Sequence, residues 1–272
     1  MDNQKQLTER QKREKEYYDQ YAKLFNTQKN IDFSPVTKVI SKMERRPWNS
    51  YWTIYEKLIE LYQKNFRLLD FGTGPGENAL RFSEIKYQID GFDISENNIM
   101  LANKLFEKYE RKHLANFQIS SAENLPYENE HFDVIVGIDI LHHVDIEKSL
   151  IECKRVLKTG GTVIFREPLE VPFLDFIRNL KLVKLFAPKE KSFDLHITED
   201  ERKLNQNDVK TFKKIFPNYK IEKYLFLARF DKFLRKENDP SASTLEKIDF
   251  YLFKLLPFLQ NLGGVVVLTA KK

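Results

Sequence analysis

The chain has 272 residues, 42% of them apolar and 31% charged, with a net charge of +5, the composition of a soluble globular protein with one large or two small domains. Its lysines and arginines are dispersed rather than gathered into a stripe, which argues against nucleic acid as a direct partner, and its single cysteine, Cys153, excludes an intrachain disulfide and a thiolate metal cage. The longest apolar stretch, Phe250 to Leu268, is broken by Lys254, Pro257, Gln260 and Asn261, and Met1 to Gln6 has no signal-peptide core, so a cytoplasmic location without a membrane span is expected.

In chain order, Tyr17, Tyr21 and Phe25 recur at helical spacing beside Tyr18 and Leu24, which predicts an amphipathic helix within residues 1–30. A second helix is expected from Ser50 to about Gln63, after the break at Pro47. Strands are predicted at Arg67–Phe71, Gln88–Asp93, Ala115–Ser120, Phe132–Ile138 and Thr162–Glu167, alternating with helices at Glu77–Ile85, Glu96–Glu110 and Ile146–Val156. That alternation predicts an α/β fold: a doubly wound, mostly parallel sheet with helices on both faces. Cys153 falls on the apolar side of the last of these helices, where a buried thiol is expected.

After Pro168 the rhythm breaks. Phe173–Phe186 is amphipathic and basic, and a polar stretch follows through Asn207. Alternation resumes with a helix at Asp208–Ile215, a strand at Lys220–Phe230, a helix near Leu245–Phe258 and a last strand at Gly264–Ala270. The expected organisation is an N-terminal helical extension or lid over residues 1–65 and a nucleotide-binding domain over 66–272, with a helical insertion at about 168–207 capping the substrate.

The most informative segment is Leu68-Leu-Asp-Phe-Gly-Thr-Gly-Pro-Gly-Glu77. An apolar strand ends at Asp70, and Gly72, Gly74 and Gly76 follow at alternate positions around Thr73, which brings bare backbone up to a ligand before a helix begins. The dinucleotide pattern G-x-G-x-x-G would put its last glycine where this chain has Glu77, so a nicotinamide enzyme is the weaker alternative. Asp93, followed by Ile94, closes the second strand 21 positions beyond Gly72, where a carboxylate can accept hydrogen bonds from both hydroxyls of a ribose. A third segment, Ser120-Ser-Ala-Glu-Asn-Leu-Pro-Tyr127, precedes the fourth strand, and Leu157-Lys-Thr-Gly-Gly-Thr-Val-Ile164 leads into the fifth.

Taken in order, these segments resemble the class I S-adenosylmethionine-dependent methyltransferases, small-molecule type, similar to the ubiquinone and sugar methyltransferase group. The resemblance covers roughly residues 66–167, with D-x-G-x-G-x-G at 70–76, a run similar to acid-Ala-Glu-x-Leu-Pro-Phe at 121–127, and Thr159 replacing the usual proline of the later turn. It implies a seven-stranded sheet closed by an antiparallel last strand, and S-adenosylmethionine as cofactor, with S-adenosylhomocysteine as product. The positions it carries over are Asp70, Gly72, Thr73, Gly74, Gly76, Asp93, Ile94, Ser121, Ala122, Glu123 and Asp139. Ser121 stands where the family usually has an acid for the adenine. A Tyr-Tyr-Asp-x-Tyr-Ala run on a lid helix adds Tyr18 and Tyr21, which could equally be packing residues.

Methyl transfer is an in-line displacement that needs a general base only when the nucleophile is a poor one. Candidates for that base sit at the carboxyl ends of the fourth and fifth strands: Asp139, His142, His143 and Glu167. A histidine at the position of His143 often anchors the loop instead, and Glu167 could simply pair with Arg166. The expected acceptor is a small molecule, an oxygen on a saccharide or on a lipid- or nucleotide-linked saccharide. Quinone or lipid methylation, RNA methylation and a non-catalytic cofactor-binding scaffold are the alternatives. Arg45-Arg-Pro-Trp-Asn-Ser-Tyr-Trp52 mixes guanidinium and aromatic groups that suit a sugar or an anion. Segment 173–186 could touch a membrane surface. His196 lacks a second histidine nearby, and no metal is expected.

Overall fold

Residues 7–25, 30–174, 202–235 and 241–272 are described by the computed structural model. Strand β1 (Arg67–Phe71) shows why the chain folds in layers: Leu68 turns into one apolar cluster while Leu69 and Phe71 turn into the other, the period-2 signature of a strand buried on both faces. Around it lie β2 (Gln88–Asp93), β3 (Ala115–Ile119), β4 (Phe132–Ile138), β5 (Leu157–Pro168), β6 (Asn218–Tyr224) and β7 (Val265–Lys271). Their order in the sheet is β3-β2-β1-β4-β5-β7-β6. β1 to β5 pair in parallel, and β7 runs antiparallel to both β5 and β6. The strand order reverses between β1 and β4, and a crevice opens at such a switch point beyond the strands' carboxyl ends.

The helices are α1 (Glu9–Ala22), α2 (Ser34–Ile40), α3 (Ser50–Leu61), α4 (Glu77–Ser83), α5 (Glu96–Lys108), α6 (Ile146–Val156), α7 (Gln206–Ile215) and α8 (Thr244–Leu255). Residues of α2 to α5 build one cluster, around Leu58, Phe82 and Phe106. Those of α6 and α7 build the other, around Leu150, Phe212 and Phe216, with Cys153 buried inside it. Side-chain caps start two of the helices that border the crevice. Ser95 Oγ accepts from Asn98 N at 3.1 Å for α5, and Asp145 Oδ1 accepts from Lys148 N at 3.2 Å for α6.

Of the stretch at 168–207 only the two ends are described, and they meet. Leu204 N donates to Pro168 O at 3.0 Å and Glu170 N donates to Leu204 O at 2.8 Å. Most of Phe173–Phe186, and His196 with its acidic neighbours, lie outside the described residues. No helix among the described residues is long and apolar enough to cross a membrane.

Candidate functional site

The crevice beyond β1, β2 and β4 holds a cavity of about 580 Å³, within the ~300–1,000 Å³ usual for small-molecule sites. Its floor is the turn after β1, with Gly72, Thr73, Gly74 and Pro75. Gly74 has a φ of +53°, and a Cβ built there would meet nothing within 4 Å, so bare peptide faces open space. Asp93 ties this turn to β2 and α5. One of its oxygens accepts from Gly74 N at 2.9 Å, and the other accepts from Ser95 N at 2.8 Å and Asn98 Nδ2 at 3.2 Å. Asp70 does not line the cavity; it is buried behind Thr73, whose hydroxyl donates to it at 2.9 Å. Gly76 also lies off the cavity wall, where it opens α4.

The roof is α1. Arg10, Gln11, Glu14, Tyr17, Tyr18 and Tyr21 line the cavity, a set of positions that falls on one face of a helix. Both oxygens of Glu123 hold its first turn, accepting from Arg10 Nη2 at 2.7 Å and Gln11 Nε2 at 2.8 Å. Further along, the Tyr18 hydroxyl meets His143 Nε2 at 2.9 Å, and Asp19 accepts from Ser95 Oγ at 2.6 Å. Ile94, Ser121 and Ala122 complete one wall.

The opposite wall follows β4. Asp139 takes a left-handed backbone conformation, with a φ of +56°. It accepts from the Tyr51 hydroxyl at 3.1 Å and pairs with Arg166, whose guanidinium lies 4.0 Å from the Tyr51 ring centroid. Glu167 does not line the cavity. It is fully buried beneath the loop after β4, accepting from Ile140 N at 2.9 Å and Leu141 N at 2.8 Å through one oxygen. Its other oxygen lies 2.6 Å from His142 Nδ1. His142 and His143 both line the cavity, and Glu14 approaches His143 Nδ1 at 3.4 Å.

Electrostatically the cavity is acidic. Glu14, Asp93, Glu123 and Asp139 line it against one guanidinium, Arg10, which Glu123 engages. Burial pushes the Asp70 carboxyl up to about 7, helped by the charge of Asp93 and opposed by the Thr73 hydrogen bond. Burial also raises Asp93 against its three hydrogen bonds, and raises Asp139 against the attraction of Arg166. Buried acids held above their ordinary range gain most from a cation brought alongside them.

Thirteen of the sixteen residues expected at the site from sequence therefore line one cavity; Asp70, Gly76 and Glu167 stand behind it. Sequence reasoning missed Arg10, Gln11 and Glu14, which lie one to two turns before Tyr18 on its own helix face. It also missed Asn98, whose signal was the acid-x-Ser-x-x-Asn spacing at the start of α5. Of the Arg45–Trp52 cluster only Tyr51 reaches this site, through its hydrogen bond to Asp139. Arg45 pairs with Glu56 at 2.7 Å, Arg46 stacks 4.4 Å from the Trp52 ring centroid, and Trp48 lines a separate cavity. Among the described residues, no group of three His, Cys, Asp or Glu side chains is placed to hold a metal ion.

Comparison with known proteins agrees with this geometry. Residues 69–165 match the family model described as a methyltransferase domain. The 27-O-demethylrifamycin SV methyltransferase of Amycolatopsis mediterranei is 34% identical over 39% of this chain and 40% of its own length. The ubiquinone/menaquinone biosynthesis C-methyltransferase UbiE of Geotalea daltonii is 30% identical over 59% of this chain and 65% of its own. The chain thus spans between 40% and 65% of the length of these curated relatives. In fold it is similar to the geranyl diphosphate C-methyltransferase of Streptomyces coelicolor, solved with S-adenosyl-L-homocysteine, at a TM-score of 0.58 and 12% identity over 98% of this chain and 99% of that one.

Proposed function

Since this chain carries a class I, Rossmann-like methyltransferase domain similar to those of the ubiquinone methyltransferases, we propose that it transfers a methyl group from S-adenosylmethionine to a hydroxyl-bearing small molecule. The observation that carries the proposal is the acidic cavity over a bare glycine turn. It suits a ligand with a sulfonium and an ammonium group and no phosphate, and it disfavours a pyrophosphate. S-adenosylmethionine, when bound, supplies an electrophilic methyl group on sulfur.

The residues present fit that group. Asp93 would accept from the ribose hydroxyls, and Ser121 with Ala122 would border the adenine. The backbone from Gly72 to Gly74 would leave room for the methionyl chain, with Asp70 behind it favouring the ammonium end. Tyr18 and Tyr21 would close the roof and keep water out. Glu123 holds the lid helix over the ligand.

On the acceptor side, Glu167 fixes the loop that carries His142 and accepts from Nδ1, which makes Nε2 the basic nitrogen of that ring. His142 would take the acceptor's hydroxyl proton as oxygen attacks the methyl carbon. Holding nucleophile, methyl and leaving group in line is the larger contribution, up to roughly 7–11 kcal/mol. The acid-rich wall favours an uncharged acceptor over a phosphorylated one. The likeness to a quinone C-methyltransferase favours a second reading, in which a phenol or enol is methylated at carbon.

Isothermal titration with S-adenosylmethionine, S-adenosylhomocysteine and NAD tests the cofactor, repeated on Asp93→Ala. Saturable binding of the two sulfur ligands, lost in the variant and absent for NAD, is the expected result. Binding of NAD alone overturns the assignment. A methyl-acceptor screen over phenols, quinols and sugars then decides between oxygen and carbon.

A further inference from the structure

Helix α8 presents apolar side chains to solvent. Ile248, Tyr251 and Leu255 recur at i, i+3 and i+7 and are 40%, 63% and 76% exposed, and Phe258 just beyond the helix is 66% exposed. The inward side is well anchored. Phe253 is buried, and the buried Asp249 carboxylate accepts from Phe226 N, Leu227 N and Ala228 N at 2.9, 2.8 and 3.0 Å. The outward stripe is therefore fixed rather than frayed. Between Ile248 and Gly263 the only charged residue besides the buried Asp249 is Lys254, whose ammonium lies 4.1 Å from the Phe250 ring centroid.

Beside the stripe is a second cavity, of about 560 Å³, lined by Phe250 and Lys254 of α8 and by Trp48 and Lys223. It lies on the β6 edge of the sheet, apart from the cleft at the β1–β4 switch point, and shares no residue with it. The buried Trp48 Nε1 has no hydrogen-bond acceptor, and neither Lys223 nor Lys254 has a carboxylate partner among the described residues. The four carboxylates of this cavity are occupied otherwise: Glu56 and Glu60 by Arg45, Glu222 by Lys57 and Lys220, and Asp249 by the three backbone amides. An apolar, aromatic-rich strip next to unpaired donors is what a helix lying in the plane of a bilayer interface presents.

We propose that this face, the outward stripe of α8 with the cavity beside it, docks on an anionic bilayer surface. Tyr251, Leu255 and Phe258 enter the interfacial layer, and Lys254 and Lys223 meet lipid phosphates. A second copy of the chain is the poorer occupant, because a stable interface takes about 20–30 residues a side and the stripe supplies a handful. Docking here is independent of methyl transfer, since none of these residues belongs to the cofactor cleft.

The test is co-sedimentation of the full chain with vesicles of phosphatidylcholine alone and of equal parts phosphatidylcholine and phosphatidylglycerol. Binding to the mixed vesicles, weakened by salt and at least roughly tenfold weaker in Leu255→Glu/Phe258→Glu, is expected. Titration with S-adenosylhomocysteine and circular dichroism check that this variant is folded; should it not be, Tyr251→Ser/Leu255→Ser replaces it. In a Trp52→Phe background, quenching of Trp48 by brominated lipid gives a measure that needs no change in the stripe. Failure of the chain to pellet with mixed vesicles, equal pelleting of the stripe variant, or a dimer in solution that this variant dissociates would each overturn the proposal.

Discussion

Asp70 sits where the sheet's first strand delivers it, wholly buried, with one hydroxyl donor and a second carboxylate, Asp93, nearby. Its carboxyl is pushed up to about 7 from an unfolded value of 3.8, chiefly by burial. A raised acid means that the folded chain holds a proton that the unfolded chain has released. Stability linked to Asp70 is therefore fully present below about pH 4, declines as the pH rises from about 4 to 7, and is flat above that. A cation bound in the cleft favours the ionised form and draws the carboxyl back down, so S-adenosylmethionine should bind more tightly as the pH rises through about 6 to 8, with release of a proton. Titrations in buffers of different ionisation enthalpy measure both effects. In Asp70→Asn the proton release and most of the pH dependence should disappear, and an unchanged profile in that variant would place the titrating group elsewhere. The residues of this site were legible to different degrees for a physical reason. A glycine turn and a strand-end acid must be those residue types at that spacing, whereas Glu167 could be read as a base because its position says nothing of the two backbone donors that occupy it.

At the scale of the element, α1 shows where pattern fails and contact decides. Its apolar signal covers Tyr17 to Phe25, but the helix begins at Glu9 under a capping box from Thr8 and Gln11, and it is held through polar side chains that carry no hydrophobic period. α2 was missed outright, being seven residues long with a proline in its first turn. The strand expected at Lys220–Phe230 stops at Tyr224, because Leu225 is left-handed (φ +65°) and Asp249 captures the next three amides. The helix expected to reach Phe258 ends at Leu255, two residues before Pro257. Since Glu123 holds the start of α1 through Arg10 and Gln11, the double variant Arg10→Ala/Gln11→Ala should release S-adenosylhomocysteine roughly tenfold faster, at about 0.5–1.5 kcal/mol per hydrogen bond lost. Stopped-flow displacement followed by tyrosine fluorescence measures the rate. Lys12→Ala, which removes an exposed pair with Glu9 on the same helix, is the control and should leave the rate unchanged.

In the whole molecule, the two apolar clusters share every central strand of one sheet, and the cleft is built from the ends of those strands and from α1 laid over them. The α/β arrangement was legible because a parallel sheet buried on both faces requires strands and helices to alternate at a nearly fixed interval. The placing of α1 over the cleft was not, since it depends on polar contacts that leave no hydrophobic period. This architecture leaves no part of the cleft that can form while the sheet is unfolded, so the described core should melt as one unit and ligand should stabilise all of it. At a free concentration 100 times its dissociation constant, a ligand that binds only the folded state adds about 2.7 kcal/mol. For a chain of 272 residues that corresponds to a rise in Tm of about 5 °C. Differential scanning calorimetry should show one transition that moves up by this amount with S-adenosylmethionine or S-adenosylhomocysteine and stays in place with NAD. Because S-adenosylmethionine carries the extra positive charge, its shift should shrink more than that of S-adenosylhomocysteine when salt is raised. Two separate transitions, of which only one responds to ligand, would mean that the cleft belongs to a smaller folding unit than the sheet as a whole.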